Sequence, residues 1–171
     1  MAFQTRSVRE LSMNPFVKID KQWMLLTAGT SDRGFNTMTA SWGMVGTLWS
    51  KPVSEVFVRP QRYTKTFVDR EKYYTLSFFP EEYRKQLAYL GSHSGRDEDK
   101  IAKTGLTPTG DDRGVWFEEA ELVLVCRKLY RGTLTEDQFV DPAVAEKNYP
   151  EKDFHDFYIG EVVSVLEKTA E

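Results

Sequence analysis

The sequence predicts an all-β fold with a few short helices, its strands antiparallel and rolled into a closed or split barrel. Three observations carry this expectation. Six segments, at 23–28, 36–44, 53–59, 73–79, 121–134 and 156–166, are dense in β-branched and aromatic residues. Turn residues bound most of them. Nowhere do strands alternate with long helices, as a parallel sheet would need.

The first two strands are separated by Ser31, Asp32, Arg33 and Gly34, a hairpin turn in which Gly34 is free to adopt positive φ. Their pairing is therefore expected to be local. After the fourth strand, 80–90 places Tyr83, Leu87 and Leu90 at i, i+4 and i+7, with Pro80 at the start and Gly91 as the stop. That spacing predicts a helix. A shorter helix is expected over 97–104, halted by Gly105, and Asp141 with Pro142 reads as an N-cap and first helical position before a brief turn. Cys126 closes the apolar run that begins at Leu122 and is expected to pack in the core. Met24, Met38 and Met44 read as core fillers.

With 171 residues and ample apolar content, the chain is expected to form one domain over 1–171. Its net charge of −3 removes the electrostatic pull on which nucleic-acid binders depend, so no nucleic-acid partner is expected. The longest apolar stretch, Leu122 to Cys126, is too short to cross a bilayer, so no membrane partner is expected either. Arg6, Arg9 and Glu10 precede any apolar block, unlike a signal peptide, and the protein is expected to be cytoplasmic. One cysteine excludes an internal disulfide, and two histidines far apart, His93 and His155, leave no zinc signature and no metal site. Neither a G-x-G-x-x-G fingerprint nor a P-loop is present. Any hard chemistry must come from a bound cofactor.

Three segments indicate its nature. The strand at 36–43 is rich in small hydroxyl residues, Thr37, Thr39 and Ser41, and ends beside Trp42 and Gly43, which lets a flat ligand approach the backbone. At 58–64, Arg59 and Arg62 flank Pro60 before Thr64, and arginine forks with a hydroxyl at a helix start suit a phosphate dianion. At 91–100, a Gly- and Ser-rich loop with Arg96 and Lys100 leads into a helix and offers further anion donors. Taken singly, each has a plainer reading: Arg59 and Arg62 as solvated charges, Trp42, Trp49, Phe78 and Phe79 as core or dimer-interface residues, His155 as structural. The acidic stretch at 146–156 reads equally as a surface lid or a dimer contact.

Taken together and in order, 36–43, 48–53, 58–64, 75–79, 94–97 and 155–162 resemble the flavin reductase-like FMN-binding split-barrel family. The resemblance implies a six-stranded antiparallel Greek-key split barrel, paired into a homodimer, with noncovalent FMN near the subunit interface. It implies that Thr39, Ala40, Ser41 and Trp42 lie along the isoalloxazine and ribityl chain, and that Arg59, Arg62, Tyr63 and Thr64 hold or flank the phosphate. Ser77 and Phe78 would approach from the neighbouring strand, while Ser94, Gly95, Arg96 and Lys100 would close over the phosphate end. His155 would stand near the face where a nicotinamide docks, as the candidate catalytic residue. The implied activity is an NAD(P)H oxidoreductase passing electrons through FMN to free flavin, a small molecule or a redox protein. The alternative is an electron carrier, flavoredoxin-like, that holds FMN without oxidising a nicotinamide.

Overall fold

The computed structural model describes residues 2–168. In chain order its elements are β1 (Phe3–Arg6), α1 (Pro15–Lys18), β2 (Met24–Thr30), β3 (Gly34–Ala40), β4 (Gly43–Leu48), β5 (Lys51–Val58), α2 (Thr64–Arg70), β6 (Tyr73–Phe78), α3 (Arg84–Ser92), α4 (Lys100–Thr104), β7 (Pro108–Asp111), β8 (Gly114–Phe117), β9 (Leu122–Thr133), α5 (Pro142–Asn148) and β10 (Asp156–Lys168).

One eight-stranded sheet runs β3-β2-β6-β9-β10-β5-β4, with β1 added on β10, and β7 and β8 form a separate hairpin. Every strand pair is antiparallel. β3 and β4 lie at opposite ends of that order, yet only Ser41 and Trp42 separate them along the chain. The sheet must therefore roll up until its two ends meet. Among the described residues no hydrogen-bonded ladder joins β3 to β4, so the barrel is split at that seam.

The core has two layers. Inside the barrel Leu26, Tyr74, Leu76, Phe78, Leu124 and Tyr158 are buried together. Outside it, α3 and the β7–β8 hairpin cover β2, β6 and β9, and Leu25, Leu87, Leu90, Phe117 and Val123 form a second cluster. β2 is consequently buried along its whole length, which is why it reads as an apolar run without alternation. Each fully buried leucine contributes about 1.5–3 kcal/mol relative to exposure.

The all-β class and the antiparallel pairing hold, but the sheet has more strands than six. The segment expected as one strand at 36–44 breaks at Ser41 and Trp42 into β3 and the start of β4, and β1, β7 and β8 were not anticipated. Gly34 has φ +83°, as the turn requires. Gly91 does not stop α3, which runs on to Ser92; a Cβ there would lie 3.1 Å from the Thr39 Cβ, so this glycine lets helix and sheet approach. Asp99 caps α4 by accepting from the Ala102 amide, and Gly105 ends it at φ +72°. Asp141 accepts from the Ala143 amide with Pro142 at the first position of α5. Cys126 is fully buried and burial pushes its thiol up to about 12, an inert core residue. Met24 and Met38 are core, but Met44 stands exposed on β4. Among the described residues no helix is long and apolar enough to cross a membrane. None of their carboxylate, histidine and cysteine side chains cluster as metal ligands.

Candidate functional site

The seam between β3 and β4 opens into a cleft of about 410 Å³. Thr39, Ala40, Ser41 and Trp42 supply one wall as the chain leaves β3; Phe57 and Arg59 come from the end of β5, Gln61 and Arg62 from the turn before α2, and His155 from the residue before β10. Seven of the expected residues are thus brought together: Thr39, Ala40, Ser41, Trp42, Arg59, Arg62 and His155. The volume lies in the range of small-molecule sites.

Arg62 is half-buried and donates to the Gly91 carbonyl at 2.9 Å. Behind it, the Lys100 ammonium is buried and donates to the carbonyls of Leu90 and His93, each at 2.9 Å. Two cations therefore cap the last carbonyls of α3, where the helix dipole favours positive charge. Burial first, and Arg59 second, hold Arg62 below the usual guanidinium range. Burial first, and Arg62 second, bring Lys100 down to about 8. Among the described residues no carboxylate lies within 4.0 Å of Arg62, Lys100 or Arg96.

Ser94, Gly95 and Arg96 lie beside the cleft, next to Gln61 and Tyr63. The Ser94 hydroxyl accepts from the Arg96 amide at 3.2 Å, and the Arg96 guanidinium donates to the Gln61 carbonyl at 3.2 Å while lying 4.7 Å above the Tyr63 ring. A Cβ at Gly95 would sit 2.3 Å from the Asn36 side-chain oxygen, so a larger residue here has to displace the Asn36 amide. Asn36 in turn donates to the buried Thr64 hydroxyl at 2.8 Å, tying β3 to α2.

The opposite side differs in charge. Arg59 pairs with Asp153 at 2.9 Å, donates to the Asn148 carbonyl at 3.0 Å and lies 4.9 Å over the Tyr149 ring. Gln61 donates to the second Asp153 oxygen at 2.8 Å. His155 Nδ1 shares a 2.7 Å hydrogen bond with the Tyr149 hydroxyl, and its ring lies 5.2 Å from that of Trp42. Burial first, then Arg59, push His155 down to about 4, so the ring is neutral at pH 7.

The other eight expected residues, Tyr63, Thr64, Ser77, Phe78, Ser94, Gly95, Arg96 and Lys100, do not line the cleft. Ser77 pairs with Leu25 and Val123 in the layer beneath α3, fully buried, its hydroxyl without a hydrogen-bond partner among the described residues. Phe78 points inside the barrel as core. β6 is buried on both faces, so a ligand cannot reach either side chain. Lys100 caps α3 and lies behind Arg62 without facing the cleft. Tyr63, which precedes α2, stacks under Arg96, and Thr64, the first residue of α2, holds Asn36. Phe57, Gln61, Tyr149 and Asp153 were missed; only Gln61 carried a signal, by its place between the two arginines. The 146–156 stretch packs against the Arg59 side of the cleft.

A search among curated proteins returned no match. Among solved structures, the FMN-binding protein of Thermus thermophilus with bound 1-cyclohex-2-enone superposes with a TM-score of 0.64 at 25% identity, over 95% of this chain and 80% of that one. Flavoredoxin of Desulfovibrio vulgaris gives 0.65 at 20% identity over 98% and 78%. An NADH:FAD oxidoreductase of Streptomyces globisporus gives 0.63 at 17% over 86% and 75%. Residues 17–171 match the flavin reductase like domain, and with the split barrel and its seam cleft in place the chain belongs to that family.

Proposed function

We propose that the seam cleft holds FMN noncovalently and that the protein is an NAD(P)H:acceptor oxidoreductase. The observation that carries this reading is Arg62, a half-buried cation next to a buried ammonium, with no carboxylate among the described residues within ion-pairing distance of either. An uncompensated buried charge is costly, and a ligand phosphate supplies the missing counter-charge. The donor set fits the group: Arg62 for the phosphate, and the hydroxyl residues and backbone of 39–41 for the polar edge of a flat ring, against Trp42 and Phe57.

Bound FMN would supply the two-electron chemistry, taking a hydride from a nicotinamide and passing electrons to an acceptor. The chain's own part is orientation and exclusion of water. With Nδ1 held by Tyr149, the neutral His155 ring lines the cleft, suited to positioning a nicotinamide and unsuited to acting as a cation.

The same reading includes a homodimer. Phe16 is 83% exposed and Met44 52%, and they line an apolar groove of about 670 Å³ that shares Ser41, Trp42 and Phe57 with the cleft. A second copy seated there would complete a wall of the site. Met44→Asp is expected to yield monomers by light scattering; dimers of unchanged stability would exclude this face.

The test of function is the absorbance spectrum of the purified protein, followed by anaerobic addition of NADH and NADPH. Yellow protein bleached by either nicotinamide supports the reading. Colourless protein that ignores added FMN overturns it, and yellow protein that neither nicotinamide bleaches is an electron carrier instead.

A further inference from the structure

Residues 148–154 cross the Arg59 side of the cleft and are fastened to it at three points. Asp153 spends one carboxylate oxygen on Arg59 and the other on Gln61, at 2.9 and 2.8 Å. The Asn148 carbonyl accepts from Arg59 at 3.0 Å, and the Tyr149 hydroxyl shares its 2.7 Å bond with His155. Arg59, Gln61 and His155 all line the cleft, so each of these three fastenings ends on a residue open to a ligand there. Between Tyr149 and Asp153 the backbone turns through Lys152 at φ +54°, a conformation costly for a side chain with a Cβ. Away from the cleft the segment is also held by Phe139, which packs on Tyr149 and Phe154, and by the exposed Lys152–Glu136 pair, so release at the cleft side loosens the segment without detaching it.

We propose that this segment is a strap latched by Asp153, and that a phosphate-bearing ligand releases it by competing with the Asp153 carboxylate for Arg59. The proposal rests on the reading of the cleft as a phosphate-binding site and assigns its regulation. Asp153 is then a specificity-determining residue: while it holds Arg59, the only guanidinium without a carboxylate partner among the described residues lining the cleft is Arg62, and a phosphate that engages both arginines must displace the strap. Carboxylate and phosphate compete because both match the planar donor fork of arginine.

The test compares the full chain with Asp153→Asn, titrating each with FMN, riboflavin and inorganic pyrophosphate and following hydrogen exchange of the 146–154 amides. Asn keeps the shape and the bond from Gln61 but gives up the charge. In the wild type, exchange in the strap is expected to rise on saturation with pyrophosphate or FMN and to stay unchanged with riboflavin. In the variant it starts fast, and affinity for FMN and pyrophosphate rises by up to about fivefold, the worth of the partly exposed ion pair that no longer has to be broken, with riboflavin unchanged. Strap exchange that is indifferent to phosphate ligands, or a variant whose phosphate affinities equal or fall below the wild type, overturns the latch. Pyrophosphate effects in a protein that never binds flavin would instead sink the FMN reading and leave the latch standing.

Discussion

Arg59 and Arg62 lie on one turn, three residues apart, and face one cleft, yet they keep opposite electrostatic company. Arg59 meets a carboxylate, a carbonyl and an aromatic ring; Arg62 meets a carbonyl and two further cations, Arg59 and Lys100. The difference shows that the residue type does not define an anion site. What defines it is charge left over after the protein has satisfied itself.

The largest effect is expected from Arg62→Ala, which should weaken FMN binding about 10- to 150-fold, the loss of one charge-assisted bond at 1.5–3 kcal/mol. Flavin fluorescence titration measures it. Next comes Gly95→Ala, whose Cβ displaces Asn36 from Thr64. It should cost about 1 kcal/mol of stability, the worth of one hydrogen bond, and lower Tm together with flavin affinity. A melt identical to the wild type would show that Asn36 has room elsewhere. His155→Ala should leave flavin bound but slow its reduction by a nicotinamide in stopped-flow bleaching, and an unaltered rate would remove His155 from the donor's path.

A pH effect follows from the same ring. His155 titrates near 4 in the fold against its ordinary 6.5, so the unfolded chain takes up a proton first as pH falls. Stability contributed by the neutral ring should therefore be whole above about 6.5 and be lost progressively down to about 4. Thermal melts across that window, with His155→Asn flattening the slope, measure it. The smallest effect is expected for Arg59→Ala, at most about fivefold in FMN affinity, because removing it frees Asp153 as well and a partly exposed ion pair is worth about 0.2–1 kcal/mol. A loss as large as that of Arg62→Ala would erase the contrast between the two arginines.

Strand propensity and turn chemistry made six of the main-sheet segments legible, because their aromatic and β-branched residues fill two packed layers. β4 was not separated from β3, since Ser41 and Trp42 carry no breaker and the strand's outer face, with Met44 and Gly46, lacks a buried stripe. β7 and β8 are four residues each, with Pro108, Gly110 and Asp111 giving β7 the composition of a loop. The cleft residues of 39–42, Arg59 and Arg62 were legible as chemistry in order along the chain. Ser77 and Phe78 lie buried away from the cleft lining, because position along a motif does not say which way the side chains of a doubly buried strand point. The pairing of Arg59 with Asp153 spans 94 residues, and no local pattern announces it.

The two-residue seam at Ser41 and Trp42 has a mechanical consequence. The same peptide units that tie the sheet's ends together form one wall of the cleft, so cleft width and barrel curvature are one variable. Widening the mouth means uncurling the sheet, and a single residue added there would turn every β4 side chain to the other face.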